Sequence, residues 1–180
     1  MAQLKELLVE QLQDLLHAET QLVKALPQMA QAAHNPKLKE AFEKHLAQTE
    51  THVERLKRSF QLLGGNAEPK TCKAMTGLIE EGKEQIQEGK NKEKLAADLA
   101  LVTAAQKIEH YEISGYGTAR GLARLIDQKE VAWLLDHTLG EEETTDFLLT
   151  TLSKPLLQQA RMEDLGAPEG DLELVKTQSA

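Results

Sequence analysis

A leucine stripe near the start of the chain is the feature that most constrains its fold. Leu8, Leu12, Leu15, Leu22 and Leu26 recur at steps of three, four and seven residues. Side chains with this spacing share one face of an α-helix, and such a face is normally buried. Aromatic residues make up only 3% of the chain, whereas Leu, Ala, Glu, Lys and Gln are abundant. The sequence therefore predicts an all-α protein.

Turn signals divide the chain into four long helices and one shorter helix. We predict long helices over residues 3–33, 36–63, 92–126 and 128–160, and a short helix over 71–87. Asn35-Pro36 and Asp127-Gln128 mark tight turns, and Gly64-Gly65 ends the second helix. Short turns make neighbouring helices antiparallel, and a long connection lets helices two and three run parallel. The expected fold is a four-helix bundle whose crossover carries a short extra helix, with a domain over 1–160 and an irregular tail over 161–180.

Charge and composition exclude several classes of function. The formal charge is −8, and no basic face of the kind that binds nucleic acid is evident. No apolar run approaches the ~20 residues of a membrane helix, and the first residues do not resemble a signal peptide. The single cysteine, Cys72, cannot form an internal disulfide. We therefore expect a cytoplasmic protein that binds neither nucleic acid nor membrane.

Polar residues interrupt the apolar stripes of all four long helices. The interrupting residues are Glu19 in helix one, His45, Thr49 and His52 in helix two, Asp98, Glu109 and Glu112 in helix three, and Thr138, Glu142 and Thr145 in helix four, with Asp146 beside them. Glu19 lies 16 residues before Asn35 and His52 lies 17 after it. Glu109 and Glu112 lie 18 and 15 residues before the turn at Asp127, and Glu142 lies 15 after it. Antiparallel hairpins would bring these groups to one level near the middle of the bundle.

Carboxylates that converge in a core require a counter-charge. Burying each one unpaired costs several kcal/mol, and the inward stripes contain no Lys or Arg. A pair of metal ions would supply the positive charge, and carboxylate and imidazole ligands suit iron, manganese or zinc. Taken singly, each residue has a simpler interpretation: a helical Glu is usually solvated, a core His is usually hydrogen-bonded, and a run such as 141–143 is usually exposed. The coincidence of four stripes at one level favours the metal site.

Other residues have structural interpretations. Cys72 is expected to be a small apolar filler, and Trp133 to pack within the bundle or between subunits. Gly115 and its neighbours in helix three predict a close approach of helices. Tyr111 or Tyr116 is expected to hydrogen-bond to the polar site.

Four segments around these residues resemble the YciE/YciF family of ferritin-like bacterial stress proteins. The segments are Leu-His-Ala-Glu-Thr-Gln-Leu at 16–22, the histidine-bearing stretch 45–56, Glu-His-Tyr-Glu-Ile at 109–113 followed by Tyr116-Gly117, and 139–146. Residues 107–113 are the most specific piece, and the resemblance covers roughly residues 4–157.

The resemblance implies a ligand set. In the ferritin-like pattern, two helices each give one Glu and two give Glu-x-x-His. Laid on this chain, the pattern assigns metal ligation to Glu19, His52, Glu109, Glu112 and Glu142. Thr49 and Thr145 stand where the pattern has a Glu and a His, and His45, Glu50 and Asp146 are the nearby substitutes.

The resemblance also implies a function and partners. It implies that each chain binds two metal ions, with iron expected first and manganese or zinc as alternatives. It also implies a homo-oligomer, of which a dimer is favoured. Oxygen or peroxide would be the reactant, in oxidase, peroxidase or catalase-like chemistry. A storage cage of the ferritin kind is a second hypothesis, but the resemblance does not cover the fifth helix that builds such a cage, and the residues after Gly166 look too irregular to form it. A non-catalytic structural or interaction bundle with a degenerate metal site is the alternative.

Overall fold

The computed structural model describes residues 2–164, which form five α-helices and contain no β-strand. The helices are α1 (Ala2–Ala32), α2 (Pro36–Leu62), α3 (Lys73–Gly89), α4 (Lys94–Leu125) and α5 (Lys129–Asp164). The prediction of an all-helical chain is confirmed. Pro27 and Pro155 lie inside helices without ending them, and α5 continues four residues beyond its expected end. Residues 165–180 of the expected tail lie outside the described residues.

The turn between α1 and α2 is held by side chains of two different helices. Asn35 caps α2, because its Oδ1 accepts hydrogen bonds from the N–H groups of Lys37 (2.9 Å) and Leu38 (3.2 Å). Asp98 of α4 accepts from the N–H groups of His34 and Asn35, both at 2.8 Å. This carboxylate, one of the polar interruptions noted in the sequence, therefore holds the turn.

Two apolar clusters lie on either side of the polar residues. One cluster includes Leu22, Phe42, Met75, Leu101 and Leu149, and the other includes Leu12, Leu56, Tyr116, Ala123 and Leu135. Helix α1 packs against α2 and α4, α5 packs against α4 and α2, and α3 lies against α1 and α4. On α2, α4 and α5, the stretch between the two clusters holds seven buried polar residues, which are His45, Thr49, His52, Glu109, Glu112, Glu142 and Thr145. A dry apolar layer therefore covers them at both ends.

The contacts add detail to three structural predictions, and Cys72 is buried among apolar residues as expected. Cys72 is the N-cap of α3, where its Sγ accepts from the N–H of Met75 (3.3 Å) and lies 2.9 Å from Oη of Tyr111. Trp133 is 62% exposed, so of its two expected positions the one within the bundle is wrong and the one between subunits stays a prediction. A Cβ at Gly115 would lie 2.9 Å from Leu15 Cδ2, so α1 and α4 do approach closely there, although Gly117 and Gly121 face open space.

Helices long and apolar enough to cross a membrane are absent from the part of the chain described, residues 2–164.

Candidate metal centre

Six buried side chains from four helices meet between the apolar clusters. They are Glu19 of α1, His45 and His52 of α2, Glu109 and Glu112 of α4, and Glu142 of α5, each at most 2% exposed. Each replaces an apolar residue on the buried stripe of its helix, so packing of the stripes brings the six together. Six of the eight predicted ligands therefore share one buried region.

The first group of potential ligands comprises His45, Glu109, Glu112 and Glu142. One ligand-type atom from each lies within 4.8 Å of those from the others. Nε2 of His45 is 3.4 Å from Oε1 of Glu109 and 3.4 Å from Oε2 of Glu142. We call this the four-residue group.

The second group comprises Glu19, His52 and Glu142, again with atoms within 4.8 Å of one another. Nδ1 of His52 is 3.3 Å from Oε1 of Glu19 and 2.9 Å from Oε1 of Glu142. The hydroxyl of Tyr116 donates a hydrogen bond to Oε1 of Glu19, so one of the two tyrosines expected near the site does contact it. We call this the three-residue group, and Glu142 belongs to both groups.

Most polar atoms of these groups have no hydrogen-bond partner. Within residues 2–164, nine buried side-chain nitrogen or oxygen atoms lack a partner, and all but Nε of Arg120 belong to the six residues. Both oxygens of Glu112 and both oxygens of Glu142 are among them. Because a buried polar atom without a partner costs about 1–3 kcal/mol, this concentration calls for a ligand. The donor set, carboxylate oxygens and imidazole nitrogens, fits a hard or borderline metal ion.

The electrostatics of the carboxylates favour the same conclusion. Burial raises the pKa of Glu109 and of Glu112 well above the ordinary value of 4.5, and neighbouring carboxylates raise both further. Burial also raises the pKa of Glu19, although His52 opposes the rise. Ionising the groups without a cation would therefore be costly.

His45 is arranged to act as a neutral ligand. Oγ1 of Thr145 lies 3.2 Å from Nδ1 of His45 and donates its own proton to the carbonyl oxygen of Glu141 (3.0 Å). When the Thr145 proton is on this carbonyl, Nδ1 of His45 carries the imidazole proton and donates it to Oγ1, which leaves the lone pair of Nε2 directed at two carboxylates. Burial lowers the pKa of His45, which keeps the ring neutral. Three electron-rich groups thus converge where a cation would fit.

His52 is held by a residue that the sequence did not single out. Its Nε2 lies 2.9 Å from Oε2 of Glu141, and Glu141 pairs with the guanidinium of Arg55. Burial would lower the pKa of His52, but Glu142 and Glu19 raise it to about 10. Burial also acts to raise the pKa of Glu141, yet Arg55 and His52 bring it below its ordinary value. Thr138 lies on the buried stripe of α5, and Glu141 follows it by three residues, so helical periodicity could have placed Glu141 beside the site. The run 141–143, however, resembles an exposed charge cluster.

Two predicted ligands lie outside both groups. Glu50 is exposed on α2. Asp146 is partly buried and accepts a hydrogen bond from Nε2 of Gln106 (2.9 Å), with Nε2 of His110 3.4 Å away. Tyr111 donates to Asp14 and does not contact the groups' carboxylates. Thr49 donates to the carbonyl of His45 (2.9 Å) and so braces its own helix.

Comparisons with known proteins point to one family. The family model described as "Domain of unknown function (DUF892)" matches residues 3–162. Protein YciF of Escherichia coli strain K12 is 40% identical over 154 residues, which are 85% of this chain and 92% of YciF.

Solved structures agree with this similarity. The crystal structure of the Escherichia coli stress protein YciF matches with a TM-score of 0.83 and 38% identity, covering 88% of this chain and 99% of that one. YcfI from Rhodopseudomonas palustris, described as "a putative structural protein", matches with a TM-score of 0.78 and 36% identity, covering 82% of this chain and 93% of that one.

Proposed function

Because the chain belongs to the DUF892 family and is similar to YciF, we propose that it is a ferritin-like stress-response protein that binds two metal ions. The four long helices would form the four-helix bundle, and the segment between α2 and α4 would be its crossover, with α3 as the extra helix. The helix contacts support this arrangement, since α1 packs on α2 and α4, and α5 on α4 and α2.

The observation that carries the proposal is the convergence of eight partnerless polar atoms from six buried side chains, whose ligand-type atoms form two compact groups. Four carboxylates contribute to the two groups, and two divalent cations would balance their charge. His52 alone cannot do this as an imidazolium, because it would offset only one of the four negative charges.

Each residue has a distinct role in this proposal. Glu142 would bridge the two ions, since each of its oxygens faces a different histidine. His45, Glu109 and Glu112 would complete the first site, and Glu19 and His52 the second. Oxygen and imidazole ligands accept iron, manganese and zinc. Iron is the metal we expect first, because the resemblance to ferritin-like proteins implies it.

Bound iron or manganese ions would supply redox chemistry toward oxygen or peroxide. The protein's own residues prepare the site for it. Apolar clusters at both ends exclude water, Tyr116 fixes one oxygen of Glu19, and Thr145 fixes the ring of His45.

Metal uptake tests the proposal. Protein purified without chelators is dialysed against Fe²⁺ under anaerobic conditions, or against Mn²⁺ or Zn²⁺, and bound metal is measured by mass spectrometry. We expect close to two equivalents per chain. Less than about a tenth of an equivalent of every metal, before and after reconstitution, would refute the proposal.

A non-catalytic bundle with a degenerate site is the second candidate. Thr49 and Thr145 favour it, because they occupy positions where the ferritin-like pattern has a Glu and a His. The similar YcfI is described as "a putative structural protein", which points the same way. The test measures the rates of peroxide consumption and of Fe²⁺ oxidation by oxygen. Rates for the metal-loaded protein no higher than those for the metal-free protein would support this candidate.

We propose further that the protein acts in the cytoplasm as a homo-oligomer, with a dimer preferred. Trp133 and Phe147 are exposed on α5 and offer apolar surface for association. Light scattering on the full chain distinguishes a dimer from a monomer and from a 24-subunit storage cage.

A further inference from the structure

His52 contacts charged groups through both ring nitrogens. Nδ1 faces Glu19 and Glu142 of the three-residue group, at 3.3 and 2.9 Å. Nε2, on the other side of the ring, lies 2.9 Å from Oε2 of Glu141. One nitrogen therefore faces the candidate metal site and the other faces a carboxylate outside it.

Glu141 is itself held in place. The guanidinium of Arg55 donates to both of its oxygens, with Nη2 at 3.2 Å from Oε1. Nη1 of Arg55 also donates to Oγ1 of Thr138 at 3.2 Å. This fork joins α2 to α5 at the edge of the site, where Arg55 is 21% and Glu141 32% exposed.

We propose that Glu141, held by Arg55, is a positioning residue that fixes the His52 ring so that Nδ1 is presented to a metal ion. This inference rests on the proposed function. With Nε2–H donated to Glu141, the metal-bound imidazole has only Nδ1 free to ligate. The carboxylate also makes the imidazole more basic and stops the ring from rotating.

The competing explanation is that Arg55 and Glu141 are only an ion pair between helices. The chain contains a matched control for that role. Nη2 of Arg58 lies 3.3 Å from Oε1 of Glu130, and this pair also joins α2 to α5, but it is exposed and contacts neither histidine. A purely structural role should affect metal-free and metal-loaded protein equally.

The test compares Glu141→Ala, Glu141→Gln and Glu130→Ala with the wild type. Zn²⁺ affinity is measured by competition with a chromophoric chelator, and melting is recorded with and without Zn²⁺. Loss of such an outer carboxylate typically weakens metal binding about 10–100-fold. We expect a loss in that range for Glu141→Ala, an affinity close to wild type for Glu130→Ala, and largely retained affinity for Glu141→Gln, whose carbonyl oxygen still accepts from Nε2–H.

A spectroscopic readout identifies the cause. In ¹⁵N NMR of the Zn²⁺-loaded wild type, Nδ1 of His52 should show a metal-bound shift and Nε2 a proton that exchanges slowly. That proton should exchange fast in Glu141→Ala and stay slow in Glu130→Ala.

Failure of the proposed function and failure of the positioning role give different results. If wild type binds no metal, the proposed function fails. If wild type binds Zn²⁺ and Glu141→Ala binds it equally well, or if Nε2 of His52 is the metal-bound nitrogen, the positioning role of Glu141 is overturned while the metal site stands. Equal loss of melting temperature in metal-free and Zn²⁺-loaded Glu141→Ala, with unchanged affinity, would also overturn it.

Discussion

Oε1 of Glu142 lies 2.9 Å from Nδ1 of His52, while the other oxygen of the same carboxylate faces a different histidine, His45, at 3.4 Å. A single side chain thus links the two ligand groups. If both groups hold metal, the protein should respond differently to loss of a shared ligand and loss of an unshared one.

Glu142→Gln should weaken metal binding at both sites, and Glu19→Gln at one only. The reason is that Glu19 belongs to the three-residue group alone, whereas Glu142 belongs to both. Isothermal titration with Mn²⁺ measures the stoichiometry: about two ions for wild type and one tight ion for Glu19→Gln. Glu143→Gln, an exposed neighbour on the same helix, is the control. Identical titrations for Glu19→Gln and Glu142→Gln would contradict the shared role of Glu142.

Glu112→Gln should change stability in opposite directions with and without metal. Both oxygens of Glu112 are buried without partners. In metal-free protein at pH 8, the neutral amide removes the cost of burying a carboxyl group whose pKa is raised by burial, and it should raise the free energy of unfolding, on the order of 1 kcal/mol. In Mn²⁺-loaded protein, the variant should be less stable than wild type, because a ligand that binds only the folded state is lost. Urea denaturation measures both, and a loss of stability in both forms would count against the metal site.

Asp98→Ala should reduce stability and leave metal binding intact. Asp98 accepts two backbone hydrogen bonds at the turn before α2, and bonds to a charged acceptor contribute about 1.5–3 kcal/mol each. We expect the unfolding free energy to fall by roughly 3–6 kcal/mol, with Mn²⁺ stoichiometry unchanged at temperatures where the variant is folded. Loss of metal would mean that this carboxylate serves more than the turn.

Metal-free protein should become less stable as the pH rises from 6.5 to 9. Burial raises the pKa values of Glu109 and Glu112 above 4.5, so the stability they contribute when protonated is lost at higher pH. His52, with a pKa of about 10 in the folded protein, contributes stability that is full below 6.5 and is lost as the pH approaches 10. His45 has the opposite sign, but it acts below 6.5 because its pKa is lowered.

The slope of this pH dependence is measurable. Each proton released on raising the pH contributes up to about 1.4 kcal/mol per pH unit. Urea denaturation at pH 6.5, 7.5 and 9 should show the fall, and a Glu109→Gln/Glu112→Gln variant should flatten it. Mn²⁺ should reverse the trend, since metal must displace protons and binds better at higher pH. Stability that rises with pH in the metal-free form would contradict the buried, interacting carboxylates.

Helix positions followed well from local sequence, and side-chain contacts did not. The leucine stripe of α1 and the Asn35-Pro36 turn depend on neighbouring residues, so their pattern is legible along the chain. Most of the polar interruptions do converge, because a stripe fixes the buried face of its helix, although Asp98 lies on a stripe and holds the first turn instead. Glu50 and Asp146 lie off their stripes, and accordingly they lie outside both groups.

Contacts between distant residues could not be predicted from one-dimensional patterns. Glu141 looks like part of an exposed acidic run, and only the approach of α2 gives it Arg55 and His52 as partners. The roles of Asp98 at the first turn and of Cys72 beside Tyr111 likewise depend on α4 packing against other elements. Burial follows from periodicity, whereas partners follow from the tertiary fold.

Anomalous diffraction from crystals of the full chain grown with Mn²⁺, collected above and below the manganese edge, tests the central claim most directly. We predict two peaks per chain, one among His45, Glu109 and Glu112 and the other between Glu19 and His52, with Glu142 contacting both. Well-diffracting crystals at saturating Mn²⁺ with no peak within bonding distance of Glu142 would contradict it.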